Sequence, residues 1–468
     1  MRTPFLALLL AGLLPAQDKE KSLRDQIEAA VTAFKAKSAK LSIHVRSVKA
    51  DAPLYALNDH ELLMLASNTK LLTTSAALVR LGPEFKFRTS IGTAGPDLHV
   101  FAGGDPNLSG RFHDGDPTAI FRGWAAQLKS AGVAKAENLV LHGGIWDDVH
   151  LHPGWKAYDL WWWWSAPFGA FSFNDNCVDL RVEPAAEGEP ARVFLSPDTA
   201  YVKLVNHTRS AARSQKPFGF TRAPGTNTIT LSGDVPGKMT HSVAIQDPTM
   251  FFATVLRETL GRDGIEISGK IEESPELLGE AKGYREIASW ESDLGSTLGA
   301  CLQPSQNFYA EMILRTLGWK RKGRGTTENG LAAVREFLAE EPKLQDFSQA
   351  DGSGLTRENR STAADLVALL LYMRQQPSAK VFLDALPTSG DKRGTLRNRM
   401  LAPDVKGRVH AKTGHVGGVT TLSGYVEAAG GDTFAFSILV NAEEGGSTGG
   451  ADRLEDRICE ILARYKGD

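Results

Sequence analysis

A serine hydroxyl becomes a useful nucleophile only when a neighbouring base takes its proton. Ser67-Asn68-Thr69-Lys70 offers such a pair. On a helix, positions i and i+3 share a face with Cβ atoms roughly 5–6 Å apart, so Lys70 can reach the Ser67 oxygen if its amine is neutral. Burial and a second cation nearby both push a lysine that way. The apolar run Leu62 to Ala66 would bury the start of this helix. Alone the pattern is weak, since an N-capping serine followed by a solvated lysine has the same spacing. Ser389-Gly390-Asp391-Lys392 repeats it, but Pro387 and Gly394 mark that copy as loop.

Two further clusters supply what Ser67 and Lys70 lack. Ser305-Gln306-Asn307 stands at a helix start. There a hydroxyl can relay a proton to a leaving amine, and an amide can hold Lys70 or a substrate carbonyl. Helix capping by Ser305 explains that cluster equally well, and Ser172-Phe173-Asn174 shares its spacing. Lys412-Thr413-Gly414 occurs once, ending the strand-like run Val409-His410-Ala411. A strand edge can present a cation and a hydroxyl to a carboxylate, and glycine lets the backbone approach closely. The backbone N–H groups of Ser67 and His415 would then form an oxyanion hole. Taken alone, this third cluster also fits a hairpin turn with an exposed lysine.

Together, in the order Ser-x-x-Lys, Ser-x-Asn, Lys-Thr-Gly, the three resemble the signature of penicillin-binding proteins and serine β-lactamases. The long stretch between the first two resembles one branch: the low-molecular-mass class C penicillin-binding proteins, the S13 peptidase family of D-alanyl-D-alanine carboxypeptidases. Gly103 to Leu108, Asn174-Asp175-Asn176, Gln303 to Glu311, Asp351 to Leu355, Leu386-Pro387, Gly394 to Leu396 and Leu422 to Val426 carry the same look.

The resemblance implies an α+β fold, a transpeptidase-like domain of antiparallel sheet and helices split by a large β-rich insertion. It implies acyl transfer with Ser67 as nucleophile, Lys70 as its base, Ser305 and Lys412 as proton relay and Asn307 as orienting amide. Thr413, Gly414 and His415 would bind substrate. The expected partners are peptidoglycan stem peptides ending in D-Ala-D-Ala, with β-lactams as covalent inhibitors. No metal or organic cofactor is needed. Two departures stand out. Gln306 occupies a position that commonly carries Asp. His415 replaces the usual Ser or Thr, and its imidazole would add pH dependence near neutrality.

The elements that must position these residues show as follows. Lys19 to Lys37 has helical periodicity, Leu41 to Val48 and Leu54 to Leu57 read as a hairpin, and Ser67 to Leu81 reads as a helix stopped by Gly82-Pro83. From 96 to 284 short strand-like runs alternate with Gly, Pro, Asn and Asp clusters, with a helix near Phe251 to Leu260. Helices return at Ser305 to Leu317 and Thr362 to Met373. Strands follow at Arg408 to Lys412, Thr421 to Val426 and Thr433 to Val440, and Ala451 to Arg464 closes as an amphipathic helix. The organisation expected is a catalytic domain made of 17–95 and 285–468, with an accessory region of two small domains at 96–284.

Met1, Arg2 and the apolar run Phe5 to Leu14 before Pro15-Ala16 describe a secretory signal over 1–16 and hence a periplasmic protein. No later run is long enough for a transmembrane anchor in the mature chain. A formal net charge of -2 calls for no nucleic acid. Cys177, Cys301 and Cys459 show no metal-ligand spacing, and a Cys301–Cys459 bridge stays open. Trp161 to Trp164 read as a hydrophobic plug or as a glycan or stem-peptide contact.

Four rival readings compete. Metal hydrolysis lacks a His-Glu-x-x-His motif, and His150-Leu151-His152 is a lone pair in a loop-like stretch that reads as surface. Gly445-Gly446-Ser447-Thr448-Gly449 fits a nucleophile elbow, but no histidine follows it, as that triad requires. A β-lactamase or esterase on the same catalytic domain is opposed by the long insertion. A non-catalytic wall-binding scaffold is opposed by the presence of both Ser67 and Lys70.

Overall fold

The computed structural model describes residues 16–36 and 38–467. The secretory segment expected over 1–16 lies outside them except for Ala16, the first residue of a helix running to Ala33.

The alternation near the N-terminus forms the expected hairpin. Ala39–Ser47 pairs antiparallel with Tyr55–Leu57, Ile43 opposite Leu57. The same strand runs antiparallel to Thr433–Ala442 along its whole length, from Ala39 opposite Ala442 to Ser47 opposite Phe434. Val419–Glu427 and Val409–Val416 complete a five-stranded antiparallel sheet. The two ends of the chain thus build one sheet.

That sheet divides two cores. Successive side chains on a strand point to opposite faces. Phe434, Phe436, Ile438 and Val440 enter one core with Ile43, Val45 and, from the helix Ala451–Arg464, Leu454, Ile458 and Leu462. Ala435 and Leu439 enter the other with Leu71 and Leu72 of the helix Thr69–Leu81 and Leu366 and Leu370 of the helix Ala363–Arg374. Each buried leucine contributes roughly 1.5–3 kcal/mol, so the helices are fixed to the sheet mainly by packing. With both faces covered, the strand reads as a nearly unbroken apolar run.

A second sheet is mixed, in the order Ile271–Ser274, Leu139–His142, Asp97–Phe101, Lys86–Ala94, Arg285–Asp293. It opens at Lys86 and closes at Asp293. Two three-stranded sheets lie in between: Lys203–Ser210, Thr228–Val235 and Gly219–Arg222 form one, and Met239–Ala244, Cys177–Glu183 and Arg192–Ser196 the other. The region holds two helices where one was expected. Pro248–Arg262 covers the predicted stretch, and Ala119–Ser130 was not foreseen, although Ile120, Phe121, Trp124, Ala125 and Leu128 form its buried stripe. Among the described residues, no helix is long and apolar enough to cross a membrane. Ile458, Ile461 and Leu462 of the last helix are buried in the core. Cys177, Cys301 and Cys459 are buried and free.

Candidate active site

The helix expected from Ser67 begins differently. Ala66–Asn68 is a single tight turn, and the α-helix starts at Thr69. Ala66 is left-handed, with φ 45°. The turn is clasped by Thr421, whose hydroxyl donates to the Leu65 carbonyl at 3.0 Å and accepts from the Asn68 amide. Ser67 is thereby held at the helix entrance, with Lys70 one turn further on and fully buried.

Lys70 Nζ lies 2.9 Å from Ser67 Oγ, 2.6 Å from Asn307 Oδ1 and 2.9 Å from the Ser353 carbonyl. Asn307 Nδ2 donates to the Trp164 carbonyl at 2.8 Å, which fixes which amide atom faces the lysine. Burial lowers the Lys70 pKa to about 8, against the opposing pull of Cys301, Asp351 and Glu311. A buried amine at that value yields its neutral form far more readily than a free lysine at about 10.4.

Ser305 does not open the helix, which runs Asn307–Lys322 with Gln306 as its first flanking residue and no side-chain cap. The expected helix start at Ser305 is therefore corrected. Ser305 is left-handed at φ 64°. Its hydroxyl, free of capping, accepts from Lys412 Nζ at 2.8 Å. Lys412 is fully buried within Val409–Val416 rather than at the end of a strand, and it also donates to the Thr413 carbonyl at 2.6 Å. Burial, with the Lys70 charge added, pushes its pKa well down.

Gly414 sits where this strand passes the nucleophile turn. A Cβ there would lie 2.8 Å from the Leu65 carbonyl and 3.1 Å from the Ser67 nitrogen. The Thr413 hydroxyl points to Thr395 at 2.7 Å. His415 is exposed, its Nδ1 3.4 Å from Thr420 Oγ1. Ser67, Ser305, Asn307, Thr413 and His415 line one cleft of about 770 Å³, together with Trp163, Trp164 and Arg357. All eight predicted residues are thus brought to one place, Lys70 and Lys412 lying buried beneath.

Four residues outside the predicted set support it. The turn Asp351-Gly352-Ser353-Gly354 delivers the Ser353 carbonyl to Lys70. Asp351 holds that turn by accepting from the N–H groups of Gly354 at 2.7 Å and Thr356 at 2.8 Å. Glu311, from the Asn307 helix, accepts from Gly352 N–H at 3.0 Å, and burial raises its pKa to about 8. Thr395 is the fourth. The composition of Asp351-Gly352-Ser353-Gly354 fits a tight turn near the cleft better than a second nucleophile, and the structure has that turn beside Lys70. His150 and His152 each bond a backbone carbonyl, of Phe168 at 3.0 Å and Ala350 at 2.9 Å. The four tryptophans are all half-buried, with Trp162 and Trp164 stacked at 4.7 Å.

The sequence model of the D-Ala-D-Ala carboxypeptidase 3 (S13) family matches residues 23–463. The chain belongs to this family. It is 30% identical to a D-alanyl-D-alanine carboxypeptidase of Actinomadura sp. (strain R39), over 99% of this chain and 89% of that one. The fold is similar to that of penicillin binding protein 4 from Haemophilus influenzae, with a TM-score of 0.79 and 21% identity over 94% of this chain and 99% of that one. It is also similar to a predatory peptidoglycan endopeptidase of Bdellovibrio bacteriovorus, with a TM-score of 0.53 and 16% identity over 93% and 94% of the two chains. As its neighbours do, this S13 chain carries the α+β fold.

Proposed function

We propose that this S13 protein is an exported serine D-Ala-D-Ala carboxypeptidase and DD-endopeptidase that works through an acyl-enzyme on Ser67. The observation that carries the reading is the convergence of two buried lysines on two serines at the floor of one cleft: Lys70 on Ser67 and Lys412 on Ser305.

In the proposed reaction, neutral Lys70 takes the Ser67 proton as Oγ bonds to the carbonyl carbon of the penultimate D-alanine. Backbone N–H groups of Ser67 and His415 stabilise the oxyanion. The C–N bond breaks, and the departing amine takes a proton through Ser305 and Lys412. Thr413 and Lys412 bind the terminal carboxylate, Gly414 lets the strand pass close to Ser67, and Asn307 orients Lys70. Water then hydrolyses the ester and frees Ser67. A cross-link amide in place of the terminal one gives endopeptidase activity by the same steps. A β-lactam, whose strained amide resembles the D-Ala-D-Ala end, would acylate Ser67.

The five-stranded sheet drawn from both chain ends supports a catalytic domain split by an accessory region, and the second sheet, which opens at Lys86 and closes at Asp293, favours borders near 86 and 293 over the expected 95 and 285. Arg2 and the Phe5 to Leu14 run support export to the periplasm. The test is release of D-alanine from a stem pentapeptide and cleavage of a cross-linked muropeptide dimer, comparing wild type with Ser67→Ala. Both activities are expected in the wild type alone. Sustained β-lactam hydrolysis without peptide turnover would replace this reading by a β-lactamase.

A further inference from the structure

A second cleft, of about 660 Å³, adjoins the catalytic one. This is within the range of small-ligand sites, roughly 300–1,000 Å³. Trp163 lines both clefts. Gln306 lines the second, while its neighbours Ser305 and Asn307 line the first. Nothing in the proposed reaction uses the second cleft.

Its walls combine aromatic rings, Trp162 stacked on Trp164 and His241 on Phe218, with polar groups. Trp162 and Phe220 lie 4.8 Å apart between ring centres, and His241 adds a third ring 5.3 Å from Phe220. Around them are the exposed Thr240 and the amide of Asn174. The charges present are already satisfied within the wall. Arg111 pairs with Asp175, and Asp179 accepts from Ser242 Oγ and from Asn174 Nδ2. A cleft with paired charges, aromatic rings, the exposed Thr240 hydroxyl and the Gln306 amide suits a neutral polyhydroxylated ligand. A pyranose ring has this character, with apolar C–H faces that stack on aromatic rings and a rim of hydroxyls.

The floor is a constrained segment tied to the catalytic helix. Asn174, Asp175 and Asn176 are all left-handed, with φ of 48°, 55° and 51°. Asn and Asp tolerate that region best, but three in succession persist only where the surroundings impose them. Asn176 donates to the Pro167 carbonyl at 2.8 Å, and the Tyr309 hydroxyl, from the Asn307 helix, donates to Asp175 at 2.8 Å. The floor of the second cleft is therefore tied to the Asn307 helix.

We infer that this cleft is a glycan subsite. It would take an N-acetylated sugar of the polymer strand whose attached stem peptide lies in the catalytic cleft. The inference deepens the proposed function and rests on it, since in peptidoglycan each stem peptide hangs from a sugar. A ligand spanning both clefts would pass Trp163 and Gln306.

Calorimetry on the Ser67→Ala protein tests it with two probes: a stem pentapeptide, and the same pentapeptide carrying its N-acetylglucosaminyl-N-acetylmuramyl disaccharide. The disaccharide should raise affinity at least tenfold, and Thr240→Trp, which fills the cleft from an exposed position, should remove that gain. Equal affinity for the two probes, or a gain that survives Thr240→Trp, would overturn the inference. Benzylpenicillin acylation of the Thr240→Trp single variant at the wild-type rate shows that the variant is folded with its catalytic cleft intact. If the wild type itself were not acylated, the catalytic reading would fail instead, independently of the sugar comparison.

Discussion

Replacing Gly414 by alanine tests the approach of the Lys-Thr-Gly strand to the nucleophile turn. The added Cβ would lie 2.2 Å from Thr421 Oγ1, 2.8 Å from the Leu65 carbonyl and 3.1 Å from the Ser67 nitrogen. Ordinary non-bonded contacts sit at about 3.5–4.0 Å. Thr421 cannot swing aside freely, because its hydroxyl ties Leu65 to Asn68. The strand must therefore move away from Ser67 by on the order of 1 Å, and a displacement of that size costs about 10²-fold in rate. Losing one oxyanion donor has an effect of about 10²–10³-fold. The second-order rate constant for acylation by benzylpenicillin, followed by rapid quench and intact-protein mass, should fall about a hundredfold or more. Overpacking should cost about 1–3 kcal/mol of stability, so circular dichroism must show that the variant is folded. A folded Gly414→Ala protein acylated within threefold of wild type would refute the reasoning.

Two further predictions concern protons. Lys70 acts as base only when neutral, and its pKa is lowered to about 8. Acylation should therefore rise with pH, tenfold per unit below about 8, and level off above it; a rate flat between pH 6 and 9 would exclude Lys70 as the titrating base. The Glu311 charge raises the Lys70 pKa, but Glu311, itself raised to about 8, is mostly protonated below that pH, so Glu311→Gln should move the rising limb to lower pH only slightly, by less than about half a unit, and a shift to higher pH would contradict that electrostatic link.

What the sequence made legible was chemistry carried by side chains at fixed spacing. Ser67 and Lys70 were readable because i and i+3 meet on a helix, and Gly414 because close approach demands glycine. The Ser353 carbonyl was not, since every residue has one and its direction is set by the Asp351 turn. Nor was the left-handed backbone of Ser305, because serine carries no mark of it and the pattern fits an ordinary cap. Glu311 sits in a quoted stretch, but its burial beside Asp351 arises from packing between distant segments. The helix Ala119–Ser130 was lost among neighbouring turn residues despite its buried stripe. Strand periodicity correctly predicted the hairpin at the N-terminus. Its partner, Thr433–Ala442, lies at the far end of the chain, where pairing is a tertiary fact.

The central claim, that Ser67 is acylated, is tested most directly by intact-protein mass after incubation with benzylpenicillin, comparing wild type with Ser67→Ala. A single penicilloyl adduct on the wild type and none on the variant is the predicted result. A well-folded wild type that gains no adduct and leaves the drug intact, or an adduct that persists in Ser67→Ala, would contradict it.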